Sequence, residues 1–295
     1  MARILRAAAV GGRMADELMM KELRTIQQVQ REILREFIRI CEENHLRYYM
    51  AEGSMLGAVR HGGMIPWDDD IDVCMPRADF DRFISIANTC LRPPYHCRHY
   101  ESEPGFIDYI VQIVNTEAVA YTSYRTENEK INLWIDVFVL DGMPEGTLAH
   151  KARKFHLLAR KLMLMWSDMD HFVMKRPNRP ALERGLIWFG RTFRLSRFIS
   201  SQKALKKMDR CMRACPLTEE GLCVNFMSEY KWRTEFPVSW YGQGRMVEFD
   251  GQTVRIPDRA EQMLQSIYGD YLKLPPEDQR YKHGLHLSPI KENAR

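Results

Sequence analysis

The chain has 295 residues, of which 45% are hydrophobic and 28% charged, and its formal net charge is +4. This composition is that of a globular protein with a substantial core, and the small net charge argues against a protein dedicated to nucleic-acid binding. No apolar run is long enough to span a bilayer, and the start, MARILRAAAVGG, lacks a convincing signal-peptide cleavage site. Seven cysteines without a C-x-x-C pair are typical of free thiols in a reducing cytoplasm. We therefore expect a cytoplasmic protein.

The first half of the chain alternates between predicted helices and strands. After a flexible N-terminus at residues 1–14, apolar residues recur at three- and four-residue steps over 15–44 and predict a long amphipathic helix. Residues 54–60 and 78–91 also have helical patterns. Strands are predicted where β-branched and aromatic residues cluster, at LRYYM, IDVCM, DYIVQIVN, AVAYTSY and INLWIDVFVLDG. We expect an α+β fold with a core unit at residues 15–146.

The second half divides into two further regions. Residues 147–215 lack the strand pattern, which predicts an inserted or appended helical region. Residues 216–295 mix helical and strand patterns, and we expect this region to complete the functional site of the core unit. In the mixed region, MVEFDGQTVRI predicts a hairpin and residues 258–268 a helix. Residues 182–199 interleave arginines with aromatic side chains. They predict either an interfacial helix that contacts anionic lipid at the inner face of the membrane, or an amphipathic helix that covers the core.

An acidic run lies beside a predicted strand in GSMLGAVRHGGMIPWDDDIDV. On a strand, Asp70 and Asp72 share one face. Asp136 is a lone carboxylate within the apolar stretch LWIDVFVL, where a charge is costly without a partner. If the two strands are neighbours, Asp70, Asp72 and Asp136 form a site of oxygen ligands that suits Mg²⁺ or Mn²⁺. The alternatives are a solvated acidic turn and an aspartate that bonds to backbone.

Other candidate residues surround this run. Gly53 and Ser54 at a strand-to-helix turn predict a phosphate cradle, with a plain N-cap serine as the alternative. Arg60 and His61 are candidates for binding phosphate or a leaving nucleotide, or form a pair favoured by the helix dipole. Trp67 either stacks on a base or sugar or is a core aromatic. A phosphate cradle beside metal-binding carboxylates indicates phosphoryl or nucleotidyl transfer.

The motifs carry a family resemblance. The order of three motifs, GS, then DIDV, then IDV, is similar to the pattern of the nucleotidyltransferase superfamily. Three longer stretches resemble the LicD family, which includes the fukutin-related sugar-modifying enzymes. These stretches are GSMLGAVRHGGMIPWDDDIDVCMPRADFDRF, LWIDVFVLDGMP and YGDYLKLPPEDQRYKHG. The resemblance covers residues 45–285. It implies a nucleotidyltransferase-like mixed sheet flanked by helices. It also implies a metal-dependent transferase that moves phosphocholine from CDP-choline onto a sugar of a cell-surface glycan, such as lipopolysaccharide or teichoic acid, or of its lipid-linked precursor.

The same resemblance assigns roles to the candidate residues. Asp70 and Asp72 would hold the metal, Asp136 would share it or act as general base on the acceptor hydroxyl, and Gly53 and Ser54 would hold donor phosphate. No residue stands out as a covalent nucleophile, so we expect direct attack by the acceptor. The alternatives are another CDP-linked alcohol, ribitol or glycerol, and a nucleotide-sugar glycosyltransferase with a D-x-D motif.

The stretch SEYKWRTEFPVSWYG supplies further candidates for donor binding. Lys231 and Trp232 belong to it, and its aromatic residues would form a cage for a quaternary ammonium through cation–π attraction. The alternative is a loop packed on the edge of a domain.

Overall fold

The computed structural model describes residues 2–103, 105–122, 129–172, 180–277, 280 and 284–288, and side chains from residue 18 onward. It confirms the α+β class, with a curled mixed sheet flanked by helices. The helices are α1 Ala2–Glu43, α2 Glu52–His61, α3 Arg77–Cys90, α4 Thr147–Ser167, α5 Met169–Phe172, α6 Ala181–Thr192, α7 Ser201–Arg213, α8 Val238–Tyr241 and α9 Ala260–Tyr268. The strands are β1 Tyr49–Met50, β2 Asp72–Pro76, β3 Tyr95–Arg98, β4 Val111–Thr122, β5 Glu129–Met143, β6 Leu222–Val224, β7 Glu235–Pro237, β8 Arg245–Phe249, β9 Gln252–Ile256 and β10 Leu285–His286.

The centre of the sheet is a parallel pair, β2 and β5. Strands follow one another in the order β1, β2, β5, β4 and β10; β3 pairs with β4, and β6 joins the end of β5 to β7. Apart from β2 and β5, the neighbouring strands run antiparallel. All five residues of β2 are buried, as expected of a strand covered on both faces.

Helix α1 packs against the sheet through one apolar stripe. Leu23, Ile26, Ile33, Leu34 and Phe37 are fully buried, and their three- and four-residue spacing places them on one face of the helix. The predicted helix at 15–44 is therefore confirmed. The helix begins at Ala2, and the division of the chain at residues 14, 146 and 215 stays a prediction.

Several predicted elements are confirmed with shifted bounds. The hairpin forms from β8 and β9, with Asp250 and Gly251 at its turn. DYIVQIVN and AVAYTSY contribute to one strand, β4, whose register shifts between Val114 and Val119; residues 123 and 124 lie outside the described part. The strands β3, β6, β7 and β10 have two to four residues, too few for a periodic pattern to reveal. No described helix is long and apolar enough to cross a bilayer.

A buried ionic network ties the helical region to the sheet. Arg77, the first residue of α3, donates from Nε to Asp141 on β5 at 2.7 Å and from Nη1 to Asp209 on α7 at 3.1 Å. Tyr109 donates to the same Asp209 at 2.9 Å. Because one guanidinium joins three elements, the helix α7 is fixed relative to the strands that carry the aspartates.

All seven cysteines are free thiols, as predicted.

Candidate active site

Asp72 and Asp136 lie side by side on the central strands. They are register partners in the parallel pair of β2 and β5, so the prediction that the two strands are neighbours is confirmed. The backbone N–H of Asp136 donates to the carbonyl of Ile71 at 2.9 Å. Gln112 on β4 is the register partner on the other side and donates from Nε2 to Asp136 Oδ1 at 3.3 Å. Asp70 lies two residues before the start of β2, whereas the sequence placed it on the strand.

The N-terminus of α2 lies against the start of β2. The Ser54 hydroxyl, in the first turn of α2, accepts a hydrogen bond from the backbone N–H of Asp72 at 2.9 Å. The N-cap residue is Ala51, so the alternative that Ser54 is the N-cap is wrong. A Cβ on Gly53 would lie 2.9 Å from Asp68 Oδ2, so this position has no room for a side chain. Ser54 therefore holds the backbone of Asp72 in place, and the absence of a side chain at Gly53 lets Asp68 approach α2.

The acidic run folds back on itself. Asp68, Asp69 and Asp70 each place a carboxylate oxygen within 4.8 Å of the others. Asp69 is 5% exposed, and its Oδ2 accepts hydrogen bonds from the N–H groups of Gly284 at 3.0 Å and Leu285 at 3.2 Å. The solvated-turn alternative is therefore wrong for Asp69, which anchors the C-terminal segment. Asp68 and Asp70 share a hydrogen bond between their carboxyl groups.

Glu52 is an acidic residue of the site that sequence reasoning missed. It is buried, has a left-handed φ of 46° and precedes the GS motif directly. Asn225, next to β6, donates from Nδ2 to Glu52 Oε1 at 3.1 Å, and Ser228 also bonds to this carboxylate. The signal in the sequence was a charge inside the apolar stretch YYMAEGS. We use the term acidic cluster for Glu52, Asp68, Asp70, Asp72 and Asp136.

The carboxyl groups of the acidic cluster have raised pKa values. Burial is the largest cause that raises the pKa of Asp136 to about 7 and of Asp70 to about 6. Burial likewise raises the pKa of Glu52 to about 7, with the charge of Asp70 adding to it. The pKa of Asp72 is raised well above its usual value by burial and by its neighbours Asp70, Glu52 and Asp136. Repelling carboxylates with oxygen-only donors fit a hard divalent cation such as Mg²⁺ or Mn²⁺.

The predicted substrate residues Arg60, His61 and Trp67 are brought together. The Trp67 ring lies 4.9 Å below the guanidinium of Arg280 and 6.0 Å from the His61 ring, edge to face. Arg60 donates from Nη1 to the carbonyl of Tyr271 at 2.6 Å. Arg60 and His61 also form the last turn of α2, as the dipole alternative stated. This group borders the acidic run, because Trp67 precedes Asp68.

Lys231 and Trp232 lie in a short 3₁₀ helix at Lys231–Thr234. Lys231 is exposed. Trp232 packs on Phe226 with a centroid distance of 4.9 Å, and the ammonium of Lys154 lies 4.9 Å from its ring centroid. The other described aromatic residues of this stretch form separate pairs: Tyr230 with Tyr268, Trp240 with Phe236 of the same stretch, and Tyr241 with Tyr49. Separate pairs favour the packed-loop alternative over a cage.

Lys161 on α4 is a basic residue that sequence reasoning also missed. Its Nζ lies 3.4 Å from the carbonyl oxygen of Phe226 and 5.2 Å from the centre of the Phe226 ring. Phe226 follows Asn225, the residue that binds Glu52. The charge of Lys161 acts on Glu52 and opposes the rise of its pKa, which burial causes. The ammonium therefore faces the acidic cluster from the helical region.

Comparison with known proteins agrees with this geometry. Residues 45–156 match the family model for the LicD/FKTN/FKRP nucleotidyltransferase domain. The chain is 28% identical over 276 residues to the lipopolysaccharide cholinephosphotransferase LicD of Haemophilus influenzae, covering 91% of this chain and 98% of that protein. A segment of 43 residues is 46% identical to the human ribitol 5-phosphate transferase FKRP, covering 15% of this chain and 9% of FKRP. The chain therefore contains a segment that matches the LicD/FKTN/FKRP nucleotidyltransferase domain and is similar to LicD over nearly its whole length.

Proposed function

We propose that this protein transfers phosphocholine from CDP-choline to a sugar hydroxyl of a cell-surface glycan or of its lipid-linked precursor. The coarser statement, that the chain is a phospho-alcohol transferase, is supported by similarity: the relative that aligns over nearly its whole length is a cholinephosphotransferase, and FKRP is a ribitol 5-phosphate transferase. The observation that carries the site is the pairing of Asp72 with Asp136 on parallel strands, beside the GS motif.

The chain's own residues define a course for the reaction. Backbone N–H groups in the first turn of α2, at Gly53 and Ser54, would bind the donor phosphates, and Lys161, whose charge acts on Glu52, would add a positive charge to the site. The acceptor hydroxyl attacks the phosphorus that carries choline, the new bond forms to the acceptor oxygen, and the bond to CMP breaks. Asp136, whose pKa is raised to about 7 mainly by burial, takes the acceptor proton as general base if it does not share the cation with Asp70 and Asp72.

Asp70, Asp72 and Asp136 would hold a divalent cation, with Asp68 as a fourth candidate. When bound, Mg²⁺ or Mn²⁺ neutralises the charge of the phosphates and of the departing CMP. The fit rests on the acidic cluster itself, since five neighbouring carboxyl groups, whose pKa values are raised mainly by burial, ionise together only where a cation offsets their repulsion. We place the reaction in the cytoplasm, where CDP-linked donors are found.

Phosphorus NMR with Mg²⁺ and a panel of CDP-alcohols tests this proposal, with a total glycolipid extract as the acceptor. We expect CMP from CDP-choline, and none with Asp72→Asn, which removes one charge from the acidic cluster without changing side-chain size. Asp170→Asn, on the surface of α5, is the matched control and should retain activity. An active Asp72→Asn variant would refute the assigned site, and calorimetry that detects no binding of any CDP-alcohol would refute the donor class.

Ribitol phosphate is the second candidate for the transferred group. The 46% identity to FKRP supports it over a short segment. In the same NMR panel, CMP released from CDP-ribitol but not from CDP-choline would keep the mechanism and change the donor.

A further inference from the structure

Helix α6 is firmly seated on α4 by its inner face. Ile187 and Gly190 are buried, and Trp166 on α4 donates from Nε1 to the carbonyl of Leu186 at 3.0 Å. A Cβ on Gly190 would lie 2.5 Å from Cδ1 of Trp166, which shows how closely the two helices approach. The side chains on the opposite side of α6, together with those of the turn after it, form the outer face of residues 181–198.

That surface is unusually apolar for one that faces water. Trp188 is 66% exposed, Leu182 77% and Phe198 81%, and two more phenylalanines are exposed beside them, Phe189 and Phe193. Singly exposed apolar residues are common, but a contiguous group marks an interaction site. The alternative from the sequence, an amphipathic helix that covers the core, holds for the inner face with Ile187 and Gly190 and not for these five exposed side chains.

Arginines are interleaved with the apolar side chains. Leu182 and Phe189 are two helical turns apart on one flank of α6, and Arg184 and Arg191 are two turns apart on the other. Arg197 follows in the next turn and is exposed. Residues 181–198 contain four arginines and a single acidic residue. In the described part of the chain, no acidic side chain forms an ion pair with Arg184 or Arg197.

A cleft of about 370 Å³ lies beneath this surface. Arg191 and Arg194 line it together with Asp168 and Asp170, so its positive and negative charges balance. The cleft therefore does not account for the excess positive charge, which lies on the outer face with Arg184 and Arg197.

We propose that the outer face of residues 181–198 docks on an anionic lipid bilayer. The aromatic side chains would enter the interfacial region, where Trp and other apolar side chains are stabilised, and the arginines would contact lipid phosphates. Charge complementarity selects this partner, because a second copy of the chain would bring the same arginines into mutual repulsion. With 12 residues, α6 is too short to cross a bilayer and would lie in its plane.

The docking face lies near the candidate active site. Phe189 contacts Trp166 on α4 at a centroid distance of 5.7 Å. Lys161, which faces the acidic cluster, precedes Trp166 by five residues, or about 7.5 Å along the helix axis. A lipid-linked acceptor in the bilayer would thus be presented close to the site. This role rests on the proposed function, whereas the docking itself is measured without any reaction.

Flotation of the full chain with vesicles tests the proposal. The protein should float with vesicles made of equal parts phosphatidylcholine and phosphatidylglycerol, and not with phosphatidylcholine alone. Arg184→Gln together with Arg197→Gln should weaken binding about 25-fold, since each arginine near the surface contributes about 5-fold. Trp188→Ser with Phe198→Ser should weaken it at least as much. Lys206→Gln with Lys207→Gln, an equal loss of charge on α7, should have little effect.

Two results would overturn the docking proposal. One is a parent chain that does not float with the anionic vesicles; the other is a lysine control that loses as much binding as the arginine pair. Light scattering adds a third test, because a dimer that becomes monomeric with Trp188→Ser would assign the face to a second copy of the chain. If the protein floats with the anionic vesicles but releases no CMP from any CDP-alcohol, the proposed function is refuted and the docking proposal stands.

Discussion

Asp136→Asn should stabilise the cation-free protein and abolish its transferase activity at the same time. The carboxylate lies on a central strand opposite Asp72, and burial is the main reason that its pKa is raised to about 7. Asparagine has nearly the same shape, carries no charge and can still accept the hydrogen bond from Gln112. Removing the charge therefore removes a cost of folding and a group to which the proposed reaction assigns a role.

The size of the effect follows from the change in pKa. Because the pKa of Asp136 is higher in the folded state than its ordinary value of 3.8, the folded protein binds this proton more tightly, and stability falls as the pH rises from about 4 to about 7. The difference between about 7 and 3.8 corresponds to about 4 kcal/mol. Asp136→Asn should thus raise the free energy of unfolding by about 4 kcal/mol near pH 8 and by about 2 kcal/mol near pH 5.

Urea denaturation in the presence of EDTA, monitored by circular dichroism, measures the free energy of unfolding of the parent chain and of the variant at both pH values. Asp170→Asn, on the surface outside the acidic cluster, should change stability by less than about 0.5 kcal/mol. Adding Mg²⁺ in place of EDTA should stabilise the parent chain more than the variant. A variant that is less stable than the parent, or a gain that is equal at both pH values, would show that Asp136 carries no buried charge.

Three further substitutions test other parts of the structure. Arg77→Met should lower the free energy of unfolding by about 3–5 kcal/mol in urea, because it leaves Asp141 buried without its partner. Gly53→Ala should weaken Mg²⁺ binding in calorimetry, because the new methyl group meets Asp68 at 2.9 Å. Lys161→Met should raise KM for the CDP-alcohol about tenfold, with a smaller change in kcat, because a charged contact to the donor is lost.

Each of these substitutions has a matched control. Arg245→Met breaks an exposed ion pair with Glu261 and should change stability by less than about 1 kcal/mol. Gly185→Ala adds a methyl group with nothing within 4 Å and should leave Mg²⁺ binding unchanged. Lys151→Met removes an exposed charge from the same helix as Lys161 and should leave KM unchanged. Equal effects in a variant and its control would contradict the reason given for that substitution.

The central pair of aspartates was predictable from the sequence, and its surroundings were not. Asp136 stood out because a charge inside an apolar strand needs a partner, and the alternation of side chains then pointed to Asp72. The contacts that complete the site join distant parts of the chain. Glu52 meets Asn225 across 173 residues, and Arg60 meets the carbonyl of Tyr271 across 211. Periodicity reports local structure only, so it cannot show such contacts.

The sequence also suggested a grouping of aromatic residues that the fold does not make. Tyr230, Trp232 and Trp240 are close in the chain, but the turn at Lys231–Thr234 and strand β7 send their rings to three different partners. Proximity along the chain is a poor guide where the backbone changes direction every few residues. The helices were predicted well because each has a long apolar stripe, as in α1.

The bonds from Gly284 and Leu285 to Asp69 have a consequence for biogenesis. The two partners of this contact are separated by 215 residues, so a ribosome completes the acidic run long before it makes the amides that hold Asp69. During synthesis the run must remain without those partners, and the site takes its final shape only once β10 has been added to the sheet. A nascent chain therefore acquires these contacts only after residue 285 has been translated, and a stop codon before residue 284 would leave Asp69 without these two amides.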